Sequence, residues 1–220
     1  MHQADSVVAD LSALIEEGMA NKQVVAIGEA GLDYDRLQFC EKEDQMTGFL
    51  LQIDLAAKYG LPMFLHNRNT DGDFVATVRT HREKLTGGGV VHSFDGSLEE
   101  MHELVELGFY IGVNGCSLRQ PENLEVAKAI PLERLLIETD APYCGIKNTH
   151  AGSGFVQTTF PRKKKEKWEA GCLVKDRNEP CTIVTIVEVL AHIRGMDQSE
   201  LAGAMYQNSR RLFFPSDLEA

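Results

Sequence analysis

No run in the chain approaches the roughly 20 apolar residues that a helix needs to cross a bilayer. Its start, MHQADSVVADLSALIEEG, is acidic and patterned as a helix, and it lacks the basic opening and apolar centre of a secretory signal. An intracellular protein, cytoplasmic or nuclear, is the expectation. Cysteine is sparse: Cys40, Cys116, Cys144, Cys172 and Cys181 make an odd five, with no CxxC pair. That argues against a disulfide framework and a zinc ribbon, and for reduced thiols. No GxSxG elbow presents a serine nucleophile, and GVNGCS (112–117) lacks the GxGxxG of a dinucleotide loop. Neither Cys116 nor Cys144 has the local context of a thiol protease. Lys and Arg number 22 against 33 Asp and Glu, a net charge of −11 that speaks against a nonspecific duplex-binding surface.

The charge is unevenly placed. Between Lys147 and Arg177 eight Lys/Arg face three acids, a net of +5, so the remainder carries −16. Within that stretch RKKKEK reads either as a solvated charged loop or as an anion-binding one. The loop, about 143–177, is too long for a routine connection, and such loops are commonly functional.

Five short aliphatic runs recur: VVAIG (24–28), LPMFL (61–65), GVV (89–91), FYIGV (109–113) and RLLI (134–137). Helical patterns separate them at about 42–59, 98–107 and 121–129, with Gly60 and Gly108 as stops and Pro121 as a start. Two helices close the chain. One is expected from Asn178 as cap to Arg194, stopped by Gly195; the other is opened by Asp197 with Glu200 three residues on. Strands that alternate with helices and stay apolar throughout indicate parallel βαβ units covered on both faces.

Each run leads at once to a chemically able side chain: Glu29, His66, His92, Asn114, and Glu138 with Asp140. Ligands meet parallel α/β folds at the carboxyl ends of the strands. Carboxylates and imidazoles gathered there are the donor set of divalent metals that activate water. A lone histidine after a strand is usually structural; Glu29, His66, His92 and Asp140 on four different strands point to a metal. Zinc, manganese and magnesium all suit such donors, so the ion stays open, as does the choice between one and two.

GEAGLDYDR (28–36), LPMFLHNR (61–68), VVHSFDG (90–96), YIGVNGCS (110–117), LLIETDAPYCG (135–145) and KDRNEP (175–180) resemble the TatD-related metal-dependent deoxyribonucleases, most closely their eukaryotic branch. The likeness runs from about residue 22 to the end. It implies a TIM-barrel hydrolase with one or two divalent metals that cleaves DNA phosphodiesters, commonly as a 3′→5′ exonuclease, with DNA as partner, no membrane, and a monomeric state for a complete barrel. Residue by residue it implies Glu29 as the carboxylate bridging two metals, His66 and His92 as histidine ligands, and Asp140 as ligand and general base for the attacking water. Glu138 matches a position that orients an imidazole. Arg68 and Lys163, Lys164 and Lys165 would hold phosphates, and Trp168 could stack on an unpaired base.

The chain departs from that pattern in length. A barrel of eight strands takes about 250 residues; the residues here supply five βα units, matching strands four to eight. The expectation is therefore one partial barrel domain over 1–220, an incomplete, short or degenerate form with two unpaired sheet edges and poor solubility unless a partner covers them. His2 is no convincing replacement for a first-strand ligand. Two alternatives stand beside the nuclease: a metal-dependent hydrolase of small substrates (lactonase, phosphotriesterase or amidohydrolase-like) and an inactive fragment.

Overall fold

A computed structural model describes the backbone of residues 2–218 and the side chains of residues 6–217. Its element order is α1 (His2–Ala20), β1 (Ile27–Asp33), α2 (Lys42–Tyr59), β2 (Met63–Arg68), α3 (Asp73–Thr80), β3 (Gly89–Val91), α4 (Leu98–Glu106), β4 (Tyr110–Val113), α5 (Pro121–Ala129), β5 (Leu135–Ile137), two short strands β6 (Arg162–Lys163) and β7 (Leu173–Val174), then α6 (Ile183–Arg194) and α7 (Gln198–Phe213). Five strands form one sheet in the order β1-β2-β3-β4-β5. The pairs β1–β2, β2–β3 and β4–β5 are parallel. Each strand lies beside its neighbour in the chain, as in a TIM barrel, whereas a doubly wound sheet reverses its order partway.

Two compact units share the chain. The first comprises the chain through Val91 with Leu107–Phe109 and the residues from Ser209; the second comprises His92–Glu106 and Tyr110–Asn208. In the first unit α2 buries Phe49, Ile53, Leu55 and Ala56, an inward stripe at helical spacing. Phe49 stacks on Phe74 of α3 with ring centroids 5.6 Å apart, and Leu32, Met63 and Leu65 complete that core. Gly60 ends α2 in the left-handed region at φ 66, where glycine has no Cβ to clash. Tyr59 donates to Glu16 at 2.6 Å, tying α2 to α1.

In the second unit Met101, Leu104, Ile111, Val113, Leu118 and Leu135 are buried. Helix α6 is buried over Thr185–Ala191, apolar nearly all round as a fully enclosed helix must be. Its one buried acid, Glu188, accepts hydrogen bonds from the backbone N–H of Gln157 at 2.8 Å and of Thr158 at 3.0 Å, and from the Thr158 hydroxyl. Burial alone would raise this carboxyl; the bonds from Thr158 and Gln157 outweigh it and hold the group below the usual 4.5. The loop 143–177 is thereby anchored to a helix. It carries β6 and β7, which pair through Arg162 with Leu173 and Lys163 with Val174.

Several boundaries differ from the sequence reading. Strand β1 does not end at Gly28: it starts at Ile27 and runs to Asp33, so Glu29 lies inside it. The register shifts between Ile27 and Ala30, an irregularity of the kind that re-aims side chains beside active sites. His66 likewise lies inside β2, because Gly31 and Asp33 of β1 pair with His66 and Arg68 and carry the ladder on. Asn178 is not the cap of α6; Thr182 occupies that position after a short 3₁₀ turn at Pro180–Thr182. The Asn178 side chain instead donates to the Thr139 carbonyl at 2.8 Å and accepts from Thr182 at 2.6 Å. Asp197 does open α7, accepting from the N–H of Ser199 at 2.8 Å and of Glu200 at 3.1 Å. Helix α3 had no counterpart among the helices expected. Its eight residues bury Phe74, Val75, Thr77 and Val78, a face too short to stand out in sequence. The side chain of His2 lies outside the described residues.

Candidate metal centre

On β1 the buried residues Ala30 and Leu32 alternate with Glu29, Gly31 and Asp33, so the period of two brings both acids to one face. Gly31 is required between them: a Cβ there would stand 1.9 Å from the His66 carbonyl oxygen. Glu29 Oε1 is 2.9 Å from His66 Nδ1, and Asp33 Oδ2 is 3.5 Å from His66 Nε2. Asp33 is also gripped by Arg68, with Nη2 at 2.8 Å from Oδ2 and Nε at 3.1 Å from Oδ1. Arg68 is thus a fork closed on a carboxylate, with Asp35 a further 3.5 Å neighbour.

His92 follows β3 directly and is buried. Its Nδ1 lies 3.2 Å from Glu138 Oε1, just past the end of β5. The same oxygen accepts the Ser93 N–H at 2.7 Å and the Asn114 amide at 3.1 Å. Asn114, fully buried, also donates to the Ser93 hydroxyl at 2.8 Å and accepts the Cys116 N–H at 2.9 Å. Glu138 therefore turns the Nδ1 edge of His92 toward a carboxylate, which leaves Nε2 as the nitrogen able to take a metal, as in the usual carboxylate–histidine arrangement.

Glu29, His66 and His92 each offer a ligand atom, and these atoms all lie within 4.8 Å of one another. Two imidazoles and a carboxylate are a donor set that fits a divalent cation. Asp140 is not a member of that trio. It sits in the left-handed region at φ 51, which Asp tolerates better than most residues, and the N–H of Tyr143 closes a turn on its carbonyl at 2.8 Å. Its Oδ2 accepts from the Cys144 thiol at 3.1 Å.

Cys144 Sγ lies 2.9 Å from Cys116 Sγ, and the Arg119 guanidinium reaches Cys116 at 3.4 Å. The hydrogen bond with Cys144 holds the Cys116 thiol down at about 6 against the opposing effect of burial, with Arg119 acting in the same sense. That contact, burial and the Asp140 carboxylate together raise Cys144 above the usual thiol range. Both sulfurs border an open cleft of about 490 Å³ whose rim includes Arg119, Lys147 and His150.

Apart from Arg68 on β2, the residues proposed for substrate contact lie on the loop 143–177. Lys163 forms an ion pair with Glu169. Trp168 donates its indole N–H to the Cys172 carbonyl at 2.7 Å while its ring is half exposed. Lys164 and Lys165 flank them at the start of a 3₁₀ turn. Sequence reasoning missed Asp33 and the Cys116–Cys144 pair. The first had a signal, since Asp33 stands two strand periods after Glu29; the second had none, since 28 residues separate the thiols.

Residues 2–214 match the family model described as TatD related DNase. The chain is 44% identical over 210 residues to a deoxyribonuclease Tat-D of Schizosaccharomyces pombe, covering 94% of this chain and 67% of that one. It is 34% identical to a 3′-5′ ssDNA/RNA exonuclease TatD of Erwinia tasmaniensis, covering 96% and 74%. The crystal structure of a hydrolase TatD family protein from Entamoeba histolytica superposes with a TM-score of 0.87 at 42% identity, covering 94% of this chain and 68% of that one. The chain spans about two thirds of the length of the curated relatives it matches.

Proposed function

Because the chain belongs to the TatD-related DNase family, we propose that its site hydrolyses phosphodiester bonds of DNA with a divalent metal, releasing nucleotides from 3′ ends of single strands. The observation that carries this reading is the convergence of Glu29, His66 and His92. Those three residues would hold the ion, which when bound supplies positive charge to a phosphate and acidifies water. Glu138 fixes the ring of His92 through its 3.2 Å contact with Nδ1, and Glu29, itself one of the three, lies 2.9 Å from His66 Nδ1. Asp140 takes the proton of the water that attacks phosphorus. Lys163, Lys164 and Lys165 attract the DNA backbone, and Trp168 offers a ring face for a terminal base. Arg68 is available to a phosphate only by sharing its fork with Asp33.

The test is release of nucleotides from single-stranded DNA with and without manganese. Wild-type protein should lose activity in EDTA and regain it on adding the ion. His92→Ala should lose metal binding and activity together, while Asp140→Asn keeps metal binding and loses activity. Release that persists undiminished in EDTA refutes the reading.

A further inference from the structure

The two thiols beside Asp140 have no part in the hydrolysis just described, yet they are placed for chemistry of their own. Cys116 Sγ and Cys144 Sγ are 2.9 Å apart, against about 2.05 Å for a disulfide, so bond formation needs only a small approach of the sulfurs. Both cysteines are free and partly accessible, and the cleft they border admits a small oxidant. They come from two separate loops. Cys116 opens the 3₁₀ turn after β4, while Cys144 follows directly on the turn Asp140–Tyr143. The thiol of Cys144 is also the hydrogen-bond donor to Asp140 Oδ2. We propose that Cys116 and Cys144 form a reversible disulfide with hydrogen peroxide, and that this bond switches the site off by taking the Cys144 donor from Asp140.

The chemistry balances in two steps. The Cys116 sulfur, beside the Arg119 guanidinium at 3.4 Å, attacks one peroxide oxygen. An S–O bond forms, the O–O bond breaks, and the departing hydroxide leaves as water with the thiol's proton. Cys144 then attacks the sulfenic sulfur of Cys116: the S–S bond forms, the S–O bond breaks, and the second water carries off the Cys144 proton. Two thiols are oxidised and one peroxide is reduced to two waters. A dithiol reverses the reaction by exchange. The effect reaches Asp140 because only three residues separate it from Cys144, in a turn closed by the Tyr143 N–H at 2.8 Å. Left-handed backbone stands at the start of that turn and just past it, φ 51 at Asp140 and φ 53 at Cys144.

The link itself is tested without any activity measurement. Full-length protein treated with hydrogen peroxide is digested with trypsin under non-reducing conditions. The expected product joins peptide 85–119, which contains Cys116, to peptide 135–147, which contains Cys144. Its absence, or links confined to Cys40, Cys172 or Cys181, overturns the proposal. The regulatory half rests on the nuclease reading and is measured on the same samples: nucleotide release should fall about tenfold, the scale of losing one hydrogen bond to a charged group, and return with dithiothreitol. Cys116→Ser should retain the reduced-state rate and resist peroxide. A linked protein that keeps its rate overturns the switch. A linked protein inactive even when reduced overturns the nuclease reading and leaves the disulfide standing.

Discussion

Replacing Glu138 tests whether a residue outside the Glu29–His66–His92 group governs metal binding. Its Oε1 receives the Ser93 N–H at 2.7 Å and the Asn114 amide at 3.1 Å, and stands 3.2 Å from His92 Nδ1. In Glu138→Gln a carbonyl can still accept from Ser93, but the charge facing the imidazole is gone. A hydrogen bond to a charged group contributes about 1.5–3 kcal/mol against about 1 kcal/mol for a neutral one. The difference, on the order of 1 kcal/mol, corresponds to several-fold in affinity at about 1.4 kcal/mol per decade. Removing the acceptor altogether in Glu138→Ala frees the ring to turn, and losses of about 10–100-fold are typical when such a partner of a ligating histidine is deleted. Glu138→Ala should also be less stable by about 1–3 kcal/mol, because the Ser93 N–H loses its acceptor. Asn114 is less affected, since its amide keeps the Ser93 hydroxyl at 2.8 Å. Calorimetric titration of metal-stripped protein with manganese measures the affinity, and urea unfolding the stability. The expected order of affinity is wild type, then Glu138→Gln, then Glu138→Ala. If Glu138→Ala binds manganese within about twofold of wild type, the claim that this carboxylate orients His92 is wrong.

Other outcomes follow from the packing. Glu188→Ala should destabilise by about 2 kcal/mol, since it removes the acceptor from the part-buried donors of Gln157 and Thr158. Because the folded carboxyl lies below 4.5, its contribution is present above that pH and lost as pH falls through the folded value. Wild type should therefore lose more stability than Glu188→Gln between about pH 6 and about pH 3 in urea titrations. Gly31→Ala places a methyl 1.9 Å from the His66 carbonyl oxygen. It should cost about 3 kcal/mol or more and weaken metal binding with it, whereas Gly60→Ala, in open space at φ 66, should cost only its left-handed backbone strain. Neutralising Lys163, Lys164 and Lys165 should raise KM for single-stranded DNA and lower its salt slope by about 2, at about 0.7 per phosphate contact. An unchanged slope would favour a small neutral substrate.

The aliphatic runs, their helical spacers other than α3, and the polar residue after each run were legible in the chain, because period and composition are local properties. Parallel strands buried on both faces must be apolar throughout, and an acid or imidazole at such a strand's end stands out against that background. The motifs around Glu29, His66, His92, Glu138 and Asp140 carried the family as well. Strand ends were less legible. Glu29 and His66 lie inside β1 and β2, since a ladder continues for as long as its neighbour offers partners, and the partner strand is more than 30 residues away in sequence. The clamp of Arg68 on Asp33, the carboxylate behind His92 and the pairing of Cys116 with Cys144 are contacts across 35, 46 and 28 residues. No local pattern encodes such distances. Sequence by itself determined which residues could do chemistry and the type of element each sits on; only the tertiary structure decided which of them touch, because hydrogen bonds and metal ligation depend on angstrom-scale separations that arise when the strands assemble.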